Sequence, residues 1–204
     1  MPDITAPRLS YEDVRSRAEA FLRQYHPDRT LPVPIEEIVE SQLKLDIVPA
    51  PNLHQLLEID GFLTGNLKEI WVDDFVYRSR PGRYRFTLAH EVGHLILHRD
   101  VYRTRPFESI EGWKAFHNSI PDEEHSWLEY QGYAFAGLVL VPRDLLETEA
   151  QKCVERIKQE GIRLKENWDF AWDRIAAFLA KQFEVSSEVI HRRLEKDKIP
   201  EQFQ

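Results

Sequence analysis

The chain has 204 residues, 42% hydrophobic and 30% charged, with a formal net charge of −8 and a single cysteine. A chain of this size suits one domain, or a domain with a small appendage, and buries about 70% of its unfolded surface without staples. One cysteine excludes an intramolecular disulfide, no apolar run approaches the ~18 residues of a membrane span, and the acidity disfavours general adhesion to nucleic acid.

Residues 10–25 read as an amphipathic helix. Ser10 is a cap, Asp13 completes a weak capping box, and Val14, Ala18, Phe21, Leu22 and Tyr25 form the apolar stripe. His26-Pro27-Asp28 ends it. Residues 31–34 are extended, because a residue before proline avoids the helical region, and Pro34 opens a helix over 35–43. Residues 45–48 read as a strand; 59–63 and 67–72 read as a β-hairpin turning at Thr64-Gly65-Asn66. Residues 78–83, with Pro81-Gly82, read as a polar turn. A helix follows over about 84–98, where Phe86, Leu88, Ala89, Val92, Leu95 and Ile96 make a broad apolar face. Residues 99–122 hold Pro106, Gly112, Pro121 and scattered aromatics without a period; a connector or a lid is expected. An apolar helix over 123–140 ends at Val141-Pro142, and a further helix starts near Pro142. Residues 169–181 and 186–194 form a helix pair with helix-turn-helix spacing, joined by Phe183-Glu184-Val185 and capped by Ser186. From residue 151 onward there are 11 Lys/Arg against 10 Asp/Glu, so the acidity lies ahead of that pair, where the count is 16 against 25.

His90-Glu91-Val92-Gly93-His94 carries the chemistry. On a helix, residues four apart lie one above the other, so two imidazoles can point at one metal ion. Glu91 is rotated by about 100° from His90, beside the metal's open position rather than on it. A carboxylate there can take a proton from a water activated by the metal, which is the layout of a metal-dependent peptidase. Two histidines leave a catalytic zinc one protein ligand short. By chemistry alone the third is open among Glu108, His117, Asp122, Glu123, Glu124, His125 and Glu129. His98 lies two turns from His90 and some 80° around the helix, and is not expected to join them. Zinc suits such a donor set best, and manganese or iron can also occupy it.

The run Arg85-Phe-Thr-Leu-Ala-His-Glu-Val-Gly-His-Leu-Ile-Leu-His98 resembles the core motif of the ImmA/IrrE family of metallopeptidases. Glu129-Tyr-Gln-Gly-Tyr-Ala-Phe-Ala-Gly-Leu-Val-Leu-Val-Pro142 resembles that family's second motif in register. Weaker likenesses lie upstream, at residues 31–38 and Gly61, and downstream, over residues 175–194. The resemblance implies that Glu129 is the third ligand, with His90 and His94, and that Glu91 is the catalytic base. It implies an α+β fold: a mainly helical, zincin-like metallopeptidase domain with a small antiparallel-containing sheet over 1–150. A C-terminal helix-turn-helix-like segment over 151–204 packs on it. The implied activity is that of a metallo-endopeptidase cutting a helix-turn-helix transcriptional repressor, relieving repression under stress or in a mobile element. Gly132 and Tyr133 depart from the family's usual Ala-Asn. Tyr133, one turn beyond Glu129, is expected to pack in the core or to supply a polar contact. Tyr133, His117, His125 and Arg103 are candidates to stabilise a developing oxyanion. A second reading is a DNA- or repressor-binding regulator with a latent or inactive metal site. The near-neutral C-terminal pair weighs against DNA, since DNA readers are usually basic. The lone cysteine and the lack of a leader-like N-terminal pattern predict a cytoplasmic protein.

Overall fold

The computed structural model describes residues 4–104, 106–161 and 168–203. Helix α1 (Tyr11–Tyr25) begins at Ser10, whose hydroxyl accepts from the Asp13 amide while the Asp13 carboxylate accepts from the Ser10 amide. Two orphan amides of the first turn are thus satisfied reciprocally. Pro34 precedes α2 (Ile35–Glu37), which runs on as a π-helical stretch, Ile38–Gln42, closed by the Leu43 amide on the Ile38 carbonyl.

Three strands follow: β1 (Asp46–Ala50), β2 (Gly61–Leu63) and β3 (Glu69–Asp73). The hairpin expected around Thr64-Gly65-Asn66 is present, with β2 antiparallel to β3 and Phe62 opposite Trp71. β1 lies parallel to β3 on the other side, so the order is β1-β3-β2 and β2 is an edge. A short helix, α3 (Leu53–Leu57), fills the β1–β2 connection. Helix α4 (Asp74–Ser79), capped by the Asp73 carboxylate accepting from the Phe75 and Val76 amides, takes residues 78–79 of the expected polar turn.

Helix α5 (Pro81–Leu97) begins three residues before the expected start. Pro81 sits in its first turn, where the missing N–H costs nothing, so Pro-Gly marks a helix start here and not a turn. The stretch that shows no period contains two short helices, α6 (Arg99–Arg103) and α7 (Ile110–His117), the latter capped by Ser109. Long helices α8 (Asp122–Leu140) and α9 (Arg143–Gln159) follow, then α10 (Trp168–Phe183) and α11 (Ser187–Lys196), with a final 3₁₀ turn, Pro200–Phe203. The expected boundary at 150/151 falls within α9. The fold is α+β and mainly helical. α5 is its axis, packed against α8 on one side and β2 and β3 on the other, and α8 in turn packs on α1 and α11. No helix among the described residues is long and apolar enough to cross a membrane.

Candidate metal centre

His90, Glu91 and His94 are all buried on α5, at 8%, 4% and 3% exposure. Uncompensated polar groups at that depth are costly, so their partners define the site. The two imidazole rings stand nearly perpendicular, with their Nε2 atoms 3.0 Å apart. Glu129 enters from α8 and straddles them, with Oε2 3.4 Å from His90 Nε2 and Oε1 3.5 Å from His94 Nε2. Tetrahedral zinc with bonds of about 2.0–2.2 Å needs donor atoms about 3.3–3.5 Å apart. The three side chains fit a divalent cation in donor type, the two Glu129 distances match that spacing, and the Nε2–Nε2 edge at 3.0 Å is a few tenths of an ångström short of it. Among the described residues, they are the one group of three that could hold a metal.

Helix crossing makes this convergence geometrically available. Gly93 faces Gly132 where α5 meets α8; a Cβ on Gly93 would lie 3.3 Å from the Gly132 backbone, and a Cβ on Gly132 would lie 2.8 Å from His90 Cε1. With hydrogen at both positions the helices approach closely enough for Glu129 to reach the imidazoles.

Burial pushes the Glu129 pKa upward, but its hydrogen bonds to His90 and His94 outweigh that and hold it well below the usual carboxylate range. Burial disfavours charge on His90, yet Glu129 and Glu91 outweigh it and raise its pKa. Glu91 stands apart from the triangle. Its Oε2 accepts from the Leu63 amide at 2.8 Å, and burial raises its pKa despite the imidazoles beside it. Asp60 and Thr64 bond β3 with their backbones, so Leu63 presents its amide on the opposite, free side of β2.

Behind the triangle runs a buried chain of hydrogen bonds. Gln131 donates its amide to the Pro7 carbonyl at 2.6 Å, which turns its Oε1 toward His98 Nε2 at 2.9 Å. His98 must therefore donate through Nε2 and accept through Nδ1, because burial pushes its pKa down to about 3 and keeps it neutral. His94 Nδ1, 2.9 Å away, is then the donor, so its Nε2 can present a lone pair to a cation that replaces the proton it shares with Glu129. His98 is thus outside the triangle, as its helical angle predicts, but it sets the tautomer of His94. His90 differs: its buried Nδ1 has no protein partner among the described residues.

The other sequence candidates are placed as follows. Glu123 and Glu124 pair with Arg8, and Glu124 also accepts from the Ala6 amide. Glu108 accepts from Asn66, and Asp122 is exposed at the start of α8. His125 Nε2 lies 3.9 Å from Glu129 Oε1, with the His117 ring packed edge-on against it at 4.3 Å. Burial first, then His125, lowers the His117 pKa. Both histidines line one wall of a cleft of 230 Å³ over the triangle. Tyr133 lines the opposite wall, its ring 4.5 Å from His90 and stacked on Phe86, and at 53% exposure it is not a core residue. Arg103 is exposed and does not line the cleft. Sequence reasoning missed Tyr102, which is buried, lines the cleft and lies 5.6 Å from the His94 ring. Burial, with Glu91 and Glu129 nearby, raises its phenol well above 10 and keeps it a donor. The signal was a four-residue spacing: positions 90, 94, 98 and 102 carry one stripe on from α5 into α6.

A solved structure of a Mycobacterium tuberculosis transcriptional regulator shares the fold, with a TM-score of 0.55 and 16% identity over 90% of this chain and 46% of that one. This chain spans about half the length of that protein. No curated protein matches the sequence. Residues 76–195, from α4 through nearly all of α11, match the Peptidase_M78 family, described as the IrrE N-terminal-like domain, and the chain belongs to that family.

Proposed function

We propose that this chain is a metal-dependent endopeptidase in which His90, His94 and Glu129 hold the cation and Glu91 is the catalytic base. The observation that carries the reading is the convergence of three donor side chains from two helices on one point, with a fourth, buried carboxylate beside that point and not in it. When bound there, a divalent cation supplies Lewis-acid polarisation of a carbonyl and lowers the pKa of water toward about 7. Zinc suits the His₂Glu set best, with manganese or iron as alternatives.

Glu91 takes the proton of the attacking water and passes it to the leaving amine. Its raised pKa suits the second transfer, and the Leu63 amide holds the carboxylate at the cleft. The hydroxyl of Tyr102, the imidazoles of His117 and His125, and the phenol of Tyr133 are the donors lining the cleft that can meet a developing oxyanion. The substrate is a protein whose cleaved segment lies extended along the free edge of β2. By family likeness that protein is a helix-turn-helix repressor in the same cytoplasm. We read 1–150 as the catalytic unit and 151–204 as a helical segment packed on it.

A DNA-reading role for the C-terminal helices has less support. On α11, Arg193 is buried against Asp197 and Tyr11, and exposed Arg192 is paired with Glu188. The test of the hydrolytic reading is Glu91→Gln, co-incubated with a neighbouring repressor-like protein with and without chelator. The variant should keep its metal and lose at least about 100-fold in cleavage rate, the scale of one general base, by mass measurement of fragments. Unchanged cleavage refutes the role.

A further inference from the structure

A second cavity lies beside the cleft and has no part in the mechanism. A groove of 520 Å³ runs between α5, α8 and α11, with Tyr11 of α1 at its far side. Asp60, Arg83, Phe86 and Tyr133 line both this groove and the cleft over the triangle, so the two are continuous past the Phe86–Tyr133 stack. Its walls are mostly apolar. Tyr130 and Tyr133, three residues apart on α8, leave 43% and 53% of their surface open, and Val189 faces them from α11. Open aromatic rings in a concave surface are the usual anchors of protein recognition.

The polar lining has a bias. Arg83, Arg192, Arg193 and Lys196 stand against Asp60 and Glu188. Arg83 and Arg192 are already paired within the groove. Lys196 rests over the Tyr11 ring and has no carboxylate partner among the described residues. Arg193 is buried and paired with Asp197. The groove therefore offers an apolar seat with one ammonium, that of Lys196, free of a carboxylate partner among the described residues at one end.

We infer that this groove is a subsite for the substrate polypeptide, seating an aromatic or aliphatic side chain with an Asp or Glu beside it, and that α11 serves as its wall. The inference rests on the peptidase reading. Polypeptide fits better than nucleic acid for two reasons. The groove is continuous with the cleft where a peptide bond would be cut, and a single ammonium without a carboxylate partner suits one carboxylate better than a run of phosphates. The helix pair with helix-turn-helix spacing thereby acquires a role in substrate selection.

The test is titration of the ¹⁵N-labelled full chain, kept metal-free with chelator, with three probes: an octapeptide holding Phe between two Glu, the same peptide with Lys for Glu, and a twelve-residue oligothymidylate. The Glu peptide should bind tightest, with shifts centred on α8 and α11. Tyr130→Ala and Val189→Glu should each weaken it about tenfold, in line with loss of an anchor worth more than 1 kcal/mol. Lys196→Glu should shift the preference toward the Lys peptide. Unchanged backbone spectra outside the groove keep a folding defect from being mistaken for the effect. Three results overturn the inference: peptide binding indifferent to all three variants, tightest binding of the oligothymidylate, or a concentration-dependent dimer that Val189→Glu abolishes. Because the titration needs no metal, its failure beside an inactive Glu91→Gln sinks the subsite alone. Success beside a fully active Glu91→Gln sinks the assigned base alone.

Discussion

Two buried clusters of charge among the described residues are built oppositely. At the end of α11, Asp197 is clamped between the guanidinium groups of Arg193, at 2.6 Å, and Arg15, at 2.8 Å, while Arg193 also donates to the Tyr11 hydroxyl. Each charge there has an opposite charge against it, and the group ties α11 to α1. At the crossing of α5 and α8, two carboxylates share a buried site with two imidazoles, and no Lys or Arg is paired with either carboxylate among the described residues. A cluster in which opposite charges touch is held together by its own members. A cluster of lone pairs turned on one point needs a cation from outside to be equally satisfied.

The largest effect that can break this contrast is removal of a donor. Glu129→Ala should weaken zinc binding by well over about 100-fold, beyond the range seen for outer-shell partners, by competition with a chromophoric chelator. Unchanged affinity would dissolve the contrast, because the triangle would then be as self-sufficient as the arginine clamp. Next comes the clamp itself. Asp197→Ala leaves two guanidinium groups buried without their partner and should cost about 3–5 kcal/mol in urea unfolding, with little change in the zinc affinity of the folded protein. A marked loss of zinc affinity in that folded variant would show that the two clusters are coupled.

Sequence reached the two clusters unequally. His90, Glu91 and His94 were legible because a helix turns a four-residue spacing into a shared direction. Glu129 was not, since nothing in its spacing separates it from His125 or Glu124; only the family likeness singled it out. The close crossing at Gly93 and Gly132 depends on two helices at once, and no local pattern reports it. Helices α3, α4, α6 and α7 are too short to show a period, and their signals were caps such as Asp73 and Ser109. The parallel pairing of β1 with β3 joins segments far apart in the chain and leaves no turn signature. The arginine clamp links positions 15 and 197, which no spacing argument connects.

A smaller effect sharpens the contrast from behind the site. Gln131→Leu removes the acceptor that orients His98 and should weaken zinc binding by about 10–100-fold, the usual cost of an outer-shell partner. Gln131→Glu keeps an acceptor and should recover most of the loss. Nitrogen-15 shifts of the His94 ring, protonated on Nδ1 in the parent and mixed in the leucine variant, would tie the effect to the tautomer; identical spectra would assign it to packing.

The bond between Glu91 and the Leu63 amide has a consequence for how far a strand can extend. On the free side of β2 the outward-facing backbone belongs to Gly61 and Leu63, and the amide of Leu63 is already occupied. A guest backbone zippering along that rim can pair with Gly61 but finds the Leu63 amide already taken. In the proposed peptidase, the Glu91 carboxylate would thus also mark where that pairing weakens, and with it which bond of an incoming chain rests over the imidazoles.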